Sequence, residues 1–433
     1  MSILSQEEVM INNASLNALK KSKWTSSFKK PLYESYAFSC IPATISKLLT
    51  GKGNKTLDAD AVGGSYEKYD CTILFVLDGF GWQFFEEYSP KFPFLNQFVC
   101  SKISSEFPST TAAHITSLNT GKEVGETGIY EWFYYEPLVD RMITPLLFSN
   151  AGDHEGGTLL KEKITPQQIF PFETVYQQLA KKGVESIVLQ SEGIAHTPYS
   201  QAMLAGAKVI PFTQFAQGLE KLVELCMKPL KAPTLFYIYF GDIDAMGHRN
   251  GIHSPQFDKA IDYCWNTVEK QFLQKMSGCP NKAAVMFTAD HGMSPVDPKS
   301  TLYLNQLMPD ITDFMKKNEK GSPLVPAGSC RDFFLHIEEK HIAEVQTNLI
   351  KHLKGIAEVV LVEELLDHGF FGTKPPSQRL KDRIGNLVVL PYLKESVWWY
   401  EKHRFEQHFF AAHGGLTPEE MESIFLFATL GKL

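Results

Sequence analysis

The segment CTILFVLDGFGW, Cys71 to Trp82, begins as a continuous apolar run and ends in an acidic turn that contains two glycines. The run up to Leu77 is rich in apolar and β-branched side chains, which is typical of a parallel strand buried on both faces. Similar runs occur at 187–190 (IVLQ), 234–240 (TLFYIYF) and 283–289 (AAVMFTA). Because stretches with helical spacing separate them, the sequence predicts an α/β fold, a doubly wound, mostly parallel sheet with helices on both faces.

The pattern changes between residues 300 and 410. CRDFFLHIE, AEVVLVEELL and NLVVLPYL are short strand-like runs amid proline, glycine and charged residues, and they predict a smaller inserted α+β lid subdomain. We therefore divide the chain into four parts: an irregular N-terminal extension (1–70), the core (71–300), the lid (301–410) and a C-terminal return to the core (411–433).

Composition limits the classes of function. The 433 residues are 44% hydrophobic and 21% charged, as expected of a globular protein. The net charge of −7, without a basic block, argues against binding to a nucleic-acid duplex. No apolar run approaches the roughly 18 residues of a membrane span. The N-terminus lacks the apolar core of a signal peptide, and the seven cysteines are scattered. We expect a cytoplasmic or otherwise soluble protein with reduced thiols. Export by an unconventional route would leave no such signal, and the oligomeric state is not predicted.

Acidic and imidazole side chains follow three of the predicted strands. In open α/β sheets, sites form beyond the carboxyl ends of the strands, so these side chains should lie close together. Another histidine precedes a Gly-Gly pair near the C-terminus, where the backbone can turn sharply. Each residue alone is weak evidence for a metal site, since an Asp after a strand is often only a turn residue. The set consists of Asp78, Asp244, His248, Asp290, His291 and His413.

Carboxylates mixed with imidazoles suit Zn²⁺, with Mn²⁺ or another divalent ion as the alternative. Six such ligands exceed the needs of one tetrahedral ion and suffice for two, which together can clamp a phosphoryl displacement. The nucleophile would then be a hydroxyl activated by the metal. The stretch FPSTTAAHITSLNTG, residues 107–121, offers Thr110 and Thr111 at the start of a predicted helix, a place that also favours anions.

The motifs DGFGW, FPSTTAAHITSLNTGKEVGETGI, DIDAMGH, TADHG and HGG, in this order, resemble the type I phosphodiesterase/nucleotide pyrophosphatase branch of the alkaline phosphatase superfamily. The resemblance implies an alkaline-phosphatase-like fold and a threonine nucleophile nine residues before the threonine of a Thr-Gly pair. Thr120-Gly121 is that pair here, so the resemblance assigns Thr111 as the nucleophile and leaves Thr110 to the helix start. A threonine at this place also makes a sulfatase an unlikely match.

The resemblance implies two metal sites as well. One takes Asp244, His248 and His413, and the other takes Asp78, Asp290, His291 and the Thr111 oxygen. Family members carry an asparagine three residues after the nucleophile as a phosphoryl contact, where this chain has His114. We name His114 as a substrate contact, with packing as its alternative. The aromatic residues Phe80, Trp82, Tyr130 and Trp132 are further candidates for the substrate slot or for an ordinary buried cluster.

The resulting hypothesis is a metal-dependent hydrolase that cleaves phosphodiester or nucleotide pyrophosphate bonds in a small-molecule substrate through a phospho-threonine intermediate. The core motifs contain no lysine or arginine suited to the extra charge of a monoester, apart from Lys122 and Arg249. A phosphomonoesterase or a phosphonate hydrolase of the same superfamily remains the alternative enzyme, with a phosphomutase ranked below them. A metal-binding pseudoenzyme is the non-enzymatic alternative.

Overall fold

The computed structural model describes residues 10–153 and 155–430. Its centre is an eight-stranded sheet in the order β1-β3-β19-β10-β2-β9-β7-β8. All its neighbouring pairs are parallel except those of β19, which runs antiparallel to β3 and β10. The strands are β1 (Met10–Ile11), β2 (Cys71–Leu77), β3 (Val99–Ser104), β4 (Tyr134–Glu136), β5 (Arg141–Thr144), β6 (Ser149–Asn150), β7 (Glu185–Ser191), β8 (Lys208–Phe212), β9 (Thr234–Phe240), β10 (Ala283–Thr288), β11 (Ser294–Pro295), β12 (Leu302–Tyr303), β13 (Ala327–Ser329), β14 (Asp332–Leu335), β15 (Ala357–Leu361), β16 (Leu387–Pro391), β17 (Val397–Trp398), β18 (Ala411–Ala412) and β19 (Glu422–Thr429).

Helices cover both faces of this sheet. Side chains of β2 alternate between the faces, as the pleat requires: Phe75 belongs to the hydrophobic cluster on one face and Val76 to the cluster on the other. Among the described helices, none combines the length and apolar character needed to cross a bilayer. The helices are α1 (Asn13–Lys21), α2 (Ile41–Thr50), α3 (Trp82–Tyr88), α4 (Thr111–Thr120), α5 (Val124–Thr127), α6 (Thr158–Lys161), α7 (Pro166–Ile169), α8 (Val175–Ala180), α9 (Glu192–Ala195), α10 (Pro198–Met203), α11 (Phe215–Cys226), α12 (Asp242–Asn250), α13 (Pro255–Thr267), α14 (Leu304–Leu307), α15 (Ile342–His352), α16 (Val362–Asp367), α17 (Gln378–Arg383) and α18 (Pro418–Met421).

The predicted fold class is therefore confirmed. The runs at 71–77 and 234–240 form β2 and β9, and those at 283–289 and 187–190 form β10 and β7 within two residues at each end. Strands β3, β8 and β19 were not identified from the sequence. In β3 (VCSKIS), Ser101 and Lys102 interrupt the apolar residues, so it lacks the continuous apolar run that marked the others.

A second, smaller layer lies beside this sheet. It contains a four-stranded antiparallel sheet in the order β13-β14-β16-β15 and a three-stranded sheet, β4-β5-β6. Tyr134 and Ile143 of the three-stranded sheet share one hydrophobic cluster with Phe333 and Val389 of the four-stranded sheet. We call these two sheets the small unit. The runs predicted as strands form β14, β15 and β16, although the end of AEVVLVEELL is helix α16. The limits of the four parts of the chain stay a prediction.

The N-terminal region is more regular than the sequence analysis expects. Residues 1–9 lie outside the described residues, but β1 pairs with β3, and α1 and α2 are formed between residues 10 and 70. Ile41, Ile45 and Leu48 recur at helical spacing on α2 and are buried against the central sheet. The expectation of an irregular extension is therefore wrong for the described part, because the apolar residues of α2 follow the period of a helix and are buried.

Candidate active site

Three strand ends meet at one edge of the central sheet. Residue 76 of β2 pairs with 239 of β9 and with 288 of β10, so the segments that follow these strands leave side by side. Asp78 follows β2, Asp244 lies in the first turn of α12, and Asp290 follows β10. Gly79 turns the chain with φ +73°, and a Cβ there would lie 3.0 Å from the Cβ of Asp244. Glycine is therefore what lets the first carboxylate approach the second.

The first cluster consists of Asp78, Asp290 and His291, and we call it the buried triad. His291 Nε2 lies 3.3 Å from Asp290 Oδ2 and 3.5 Å from Asp78 Oδ1. Asp290 Oδ1 accepts hydrogen bonds of 3.1 Å from the backbone N–H groups of Gly79 and His291. Its other oxygen has no hydrogen-bond donor within the described residues. One carboxylate oxygen is thus held by the backbone while the other faces the centre of the triad.

The second cluster consists of Asp244, His248 and His413, and we call it the half-buried triad. His248 Nε2 and His413 Nε2 lie 3.3 Å and 3.5 Å from Asp244 Oδ1. This oxygen is buried and also lacks a donor in the described part of the chain. The two triads adjoin each other, since the rings of His291 and His413 stack with their centroids 3.5 Å apart.

Backbone carbonyls fix the tautomer of all three histidines. Nδ1 of His248 bonds to the Ala411 carbonyl at 2.7 Å, that of His291 to Gly292 at 3.0 Å, and that of His413 to Ser109 at 2.9 Å. A carbonyl oxygen only accepts, so Nδ1 carries the proton in each ring. Each Nε2 is left with a lone pair directed at the carboxylates. This is the arrangement that orients metal-binding histidines.

Burial and like charge disturb the titration of these groups. Burial, followed by the charges of Asp290 and Asp244, raises the pKa of Asp78, and burial raises the pKa of Asp290 to about 7. Burial also lowers the pKa values of His291 and His413. Crowded carboxylates, unpartnered carboxylate oxygens and inward lone pairs are together the donor set of a divalent cation. The residues present therefore fit such an ion in each triad.

Thr111 is the first residue of α4 and lies beside the buried triad. Its Oγ1 is 3.1 Å from His291 Nε2 and 3.5 Å from Asp78 Oδ1. Thr110 precedes the helix with an extended backbone, and its Oγ1 accepts a 3.3 Å hydrogen bond from the Ala113 N–H. Thr110 is thus the helix cap, and the hydroxyl of Thr111 is the one that faces the triad.

A cavity of about 370 Å³ opens over Thr111 and the half-buried triad. Its aromatic lining comes from the segment just before β4 and from residues 398–409. Phe133 stacks on Trp398 with centroids 6.0 Å apart and meets Phe405 edge-on at 5.7 Å. We call the aromatic residues that line this cavity the aromatic wall: Trp132, Phe133, Trp398, Phe405 and Phe409.

The sequence model of the type I phosphodiesterase/nucleotide pyrophosphatase family matches residues 72–416. The chain belongs to this family. The family is metal-dependent, and membership makes the protein a hydrolase of the phosphodiesterase/nucleotide pyrophosphatase class.

Solved structures share the family fold at low sequence identity. Murine ectonucleotide pyrophosphatase/phosphodiesterase 5 is 16% identical with a TM-score of 0.60, over 82% of this chain and 87% of that chain. An inactive variant of the murine protein, in complex with AMP, is 16% identical with a TM-score of 0.59, over 82% of this chain and 87% of that chain. The human protein is 17% identical with a TM-score of 0.58, again over 82% of this chain and 87% of that chain. No curated protein matches the chain in sequence.

The predicted substrate contacts of this family member need correction. His114 is buried and uses both ring nitrogens on the backbone: Nδ1 bonds to the Thr110 carbonyl and Nε2 accepts the Glu106 N–H, each at 2.7 Å. It therefore has no atom left for a phosphoryl group. Phe80, Trp82 and Tyr130 are also buried, with at most 2% of each side chain exposed, and do not line the cavity.

Of the predicted aromatic contacts, only Trp132 lines the cavity over Thr111. Phe133 lies in the same predicted run, GIYEWFYYEP, but nothing in that run shows which side chains face outward. Trp398 and Phe405 lie in VWWYEKHRF, an aromatic cluster that the sequence analysis did not use. The sequence feature that could have indicated Trp398 and Phe405 is this aromatic-rich segment inside the predicted lid.

Proposed function

We propose that the protein hydrolyses phosphodiester or nucleotide pyrophosphate bonds of small molecules with Thr111 as the nucleophile. The observation that carries this proposal is the position of the Thr111 hydroxyl, 3.1 Å from His291 Nε2 at the start of α4. The half-buried triad lies in the same cavity. A hydroxyl between two such clusters, at a helix N-terminus that favours anions, suits attack on phosphorus.

Each triad would hold one divalent cation, Zn²⁺ or alternatively Mn²⁺. The buried triad and the Thr111 oxygen would bind one ion, and Asp244, His248 and His413 would bind the other. Bound cations would favour the ionised hydroxyl and offset the charge that develops on the phosphoryl oxygens. The carbonyls behind the three imidazoles keep every Nε2 available for this role.

The chemical steps concern Thr111 and the helix behind it. Thr111 Oγ1 forms a bond to phosphorus while the bond from phosphorus to the leaving oxygen breaks, which gives a phospho-threonine. Water then cleaves this ester and regenerates the hydroxyl. The Thr110 cap takes the Ala113 N–H, so the backbone N–H groups of Thr111 and Ala112 are the ones without a partner in the helix, and they would face the anion. They would serve in place of His114, whose ring is fully used elsewhere.

The cavity favours a diester or pyrophosphate over a monoester. Among the described residues that line it, Arg404 is the only lysine or arginine. Its guanidinium is already bonded to Glu401 Oε1 at 2.6 Å and to the Ala151 carbonyl at 3.0 Å. The one Lys or Arg of the described lining is thus already paired with a carboxylate, which disfavours the second charge of a phosphomonoester. The aromatic wall suits a ring, and AMP, bound by the inactive murine relative, is a ligand of that kind.

The test compares Thr111→Ala with Thr110→Ala on bis-p-nitrophenyl phosphate and on mono-p-nitrophenyl phosphate. Loss of the nucleophile should lower kcat at least about a thousandfold. Loss of the cap should cost about 1 kcal/mol of stability and leave most of the activity. Metal content should stay close to two per chain in both variants. Unchanged rates in Thr111→Ala would refute the nucleophile, and a preference of the native protein for the monoester would indicate the phosphomonoesterase alternative.

A further inference from the structure

The segment that carries His413 is held from two sides. On one side Ser109, two residues before Thr111, accepts from the His413 ring at 2.9 Å and from the Gly414 N–H at 3.1 Å. On the other side lies Ser329, at the end of β13 in the small unit. Its Oγ is 3.1 Å from the backbone carbonyl of His413. A ligand of the half-buried triad is thus joined to the small unit through one hydroxyl.

Asp332 holds this hydroxyl. Its Oδ1 lies 2.5 Å from Ser329 Oγ and accepts the Ser329 N–H at 3.1 Å. A serine hydroxyl has a single proton, and the His413 carbonyl can only accept. Ser329 Oγ also accepts the Arg331 N–H at 3.2 Å. Its contacts to Asp332 Oδ1 and to the His413 carbonyl are therefore both hydrogen bonds only if Asp332 supplies the second proton. The contact is close enough to require glycine at 414, where a Cβ would lie 2.5 Å from Asp332 Oδ1.

Glu131 is the second partner of Asp332. The two carboxyl groups lie close enough to interact directly, and both residues are at most 1% exposed. Two ionised carboxylates would repel each other there, so the pair retains a proton. Burial raises the pKa of Glu131 to about 8 and raises that of Asp332 as well.

The charged and titratable groups around the pair do not neutralise it. Arg331 is nearest in sequence, but its guanidinium is bonded to both oxygens of Glu420 at 2.9 Å and to the Tyr392 carbonyl at 2.8 Å. Tyr130 and Cys330 also face the pair, and burial raises the pKa of each. The positive charge of Arg331 is thus committed to Glu420, and a proton is what remains for Glu131 and Asp332.

We propose that the chain Glu131–Asp332–Ser329, with Asp332 neutral, positions His413 as a ligand of the half-buried triad. The inference rests on the metal role of His413 in the proposed function. Hydrogen bonds behind metal ligands fix the orientation of the ligand, and their loss typically costs 10–100-fold in metal affinity or activity. Asp332 of the small unit and Glu131, which lies just before β4, would thereby affect how tightly the half-buried triad binds its cation.

Ser329→Ala tests this directly in the metal-loaded protein. We expect the affinity for one of the two cations to fall about 10–100-fold, so that metal content drops from two toward one per chain in a zinc buffer. Cobalt-loaded protein should show the change in the absorption of a single site. Ser322→Ala is the matched control, since Ser322 lies exposed before β13. Wild-type metal content in Ser329→Ala overturns the proposal.

Substitutions of Asp332 test its protonation. The amide nitrogen of Asp332→Asn can donate to Ser329 Oγ, as the neutral acid does, but it cannot accept the Ser329 N–H. Asp332→Asn should therefore retain more of the second cation than Ser329→Ala. Asp332→Ala should lose the same cation as Ser329→Ala. If Asp332→Ala does not fold, the comparison of Ser329→Ala with Asp332→Asn still tests the proposal. A loss of the cation in Asp332→Asn as complete as in Ser329→Ala overturns the neutral-acid chain.

A further variant separates the inference from the proposed function. His413→Ala should bind one cation per chain. Two cations in His413→Ala would overturn the ligand role of His413 itself. One cation in His413→Ala together with two in Ser329→Ala would overturn only the positioning role.

Discussion

The buried and the half-buried triads contain similar groups but are built differently. Asp78, Asp290 and His291 follow two paired strands, β2 and β10, so the sheet register fixes them. Asp244 and His248 share α12, while His413 comes from a distant segment held by Ser109 and Ser329. The first cluster depends on the central sheet alone. The second also depends on the small unit, and it faces the cavity.

The largest difference is expected from removing one ligand in each triad. Asp290→Asn keeps an oxygen that accepts from the two backbone N–H groups but replaces the other carboxylate oxygen, the one that faces the triad. His248→Asn keeps an N–H donor for the Ala411 carbonyl but loses the Nε2 lone pair. Each variant should retain one cation. Asp290→Asn should lower kcat/KM by more than about a hundredfold and more than His248→Asn does, because Thr111 adjoins the buried triad.

Elemental analysis and initial rates on bis-p-nitrophenyl phosphate measure both effects. Graded chelation of the native protein extends the comparison, since the half-buried triad should release its cation first. A larger activity loss in His248→Asn than in Asp290→Asn would contradict the assignment of Thr111 to the buried triad.

The second difference concerns stability after metal removal. Burial raises the pKa of Asp290 to about 7, above the roughly 3.9 of an unfolded aspartate. A carboxyl group with a raised pKa binds more protons when folded, so its contribution to stability falls as pH rises from about 4 to about 7. Asparagine at 290 does not titrate. Metal-free Asp290→Asn should therefore gain stability relative to metal-free native protein across this range, by an amount on the order of a few kcal/mol.

Thermal unfolding of both chelated proteins between pH 4 and pH 7 checks this expectation. Comparing the two chains cancels the opposite effect of His291 and His413, whose lowered pKa values favour folding at higher pH. A gap that stays constant with pH would show that Asp290 titrates normally in the folded chain. With the cation restored, the gap should reverse in favour of the native protein.

The same contrast explains how much the sequence could predict. Asp78, Asp244 and Asp290 were found because each lies just beyond the end of an apolar strand, a local signal that parallel pairing turns into proximity. The grouping of His413 with Asp244 and His248, and the choice of Thr111 over Thr110, required the resemblance to a family, because no local pattern carries either assignment. The cap position of Thr110 in the structure agrees with that choice.

The environment of His114 and the composition of the aromatic wall could not be predicted from the sequence. Whether His114 faces a substrate depends on the Glu106 N–H, which comes from the loop after β3, a strand not identified from the sequence. Trp398 of β17 and Phe133, which precedes β4, belong to distant segments of the chain that meet in one hydrophobic cluster. Contacts between segments far apart in the chain leave no periodicity in either segment.

The smallest expected effect concerns the aromatic wall, which faces the half-buried triad. Trp132 is 39% exposed at the edge of the cavity, so Trp132→Ala should cost little stability. Stacking on an aromatic group contributes roughly 1 kcal/mol, which corresponds to about a fivefold rise in KM for a nucleotide diester with little change in kcat. Tyr263→Ala removes an aromatic side chain, 44% exposed on α13, that does not line the cavity, and should change neither constant. A fall in kcat without a rise in KM for Trp132→Ala would mean that this ring acts on the reacting groups rather than on the leaving group. The aromatic wall would then belong with the triads and not with substrate selection.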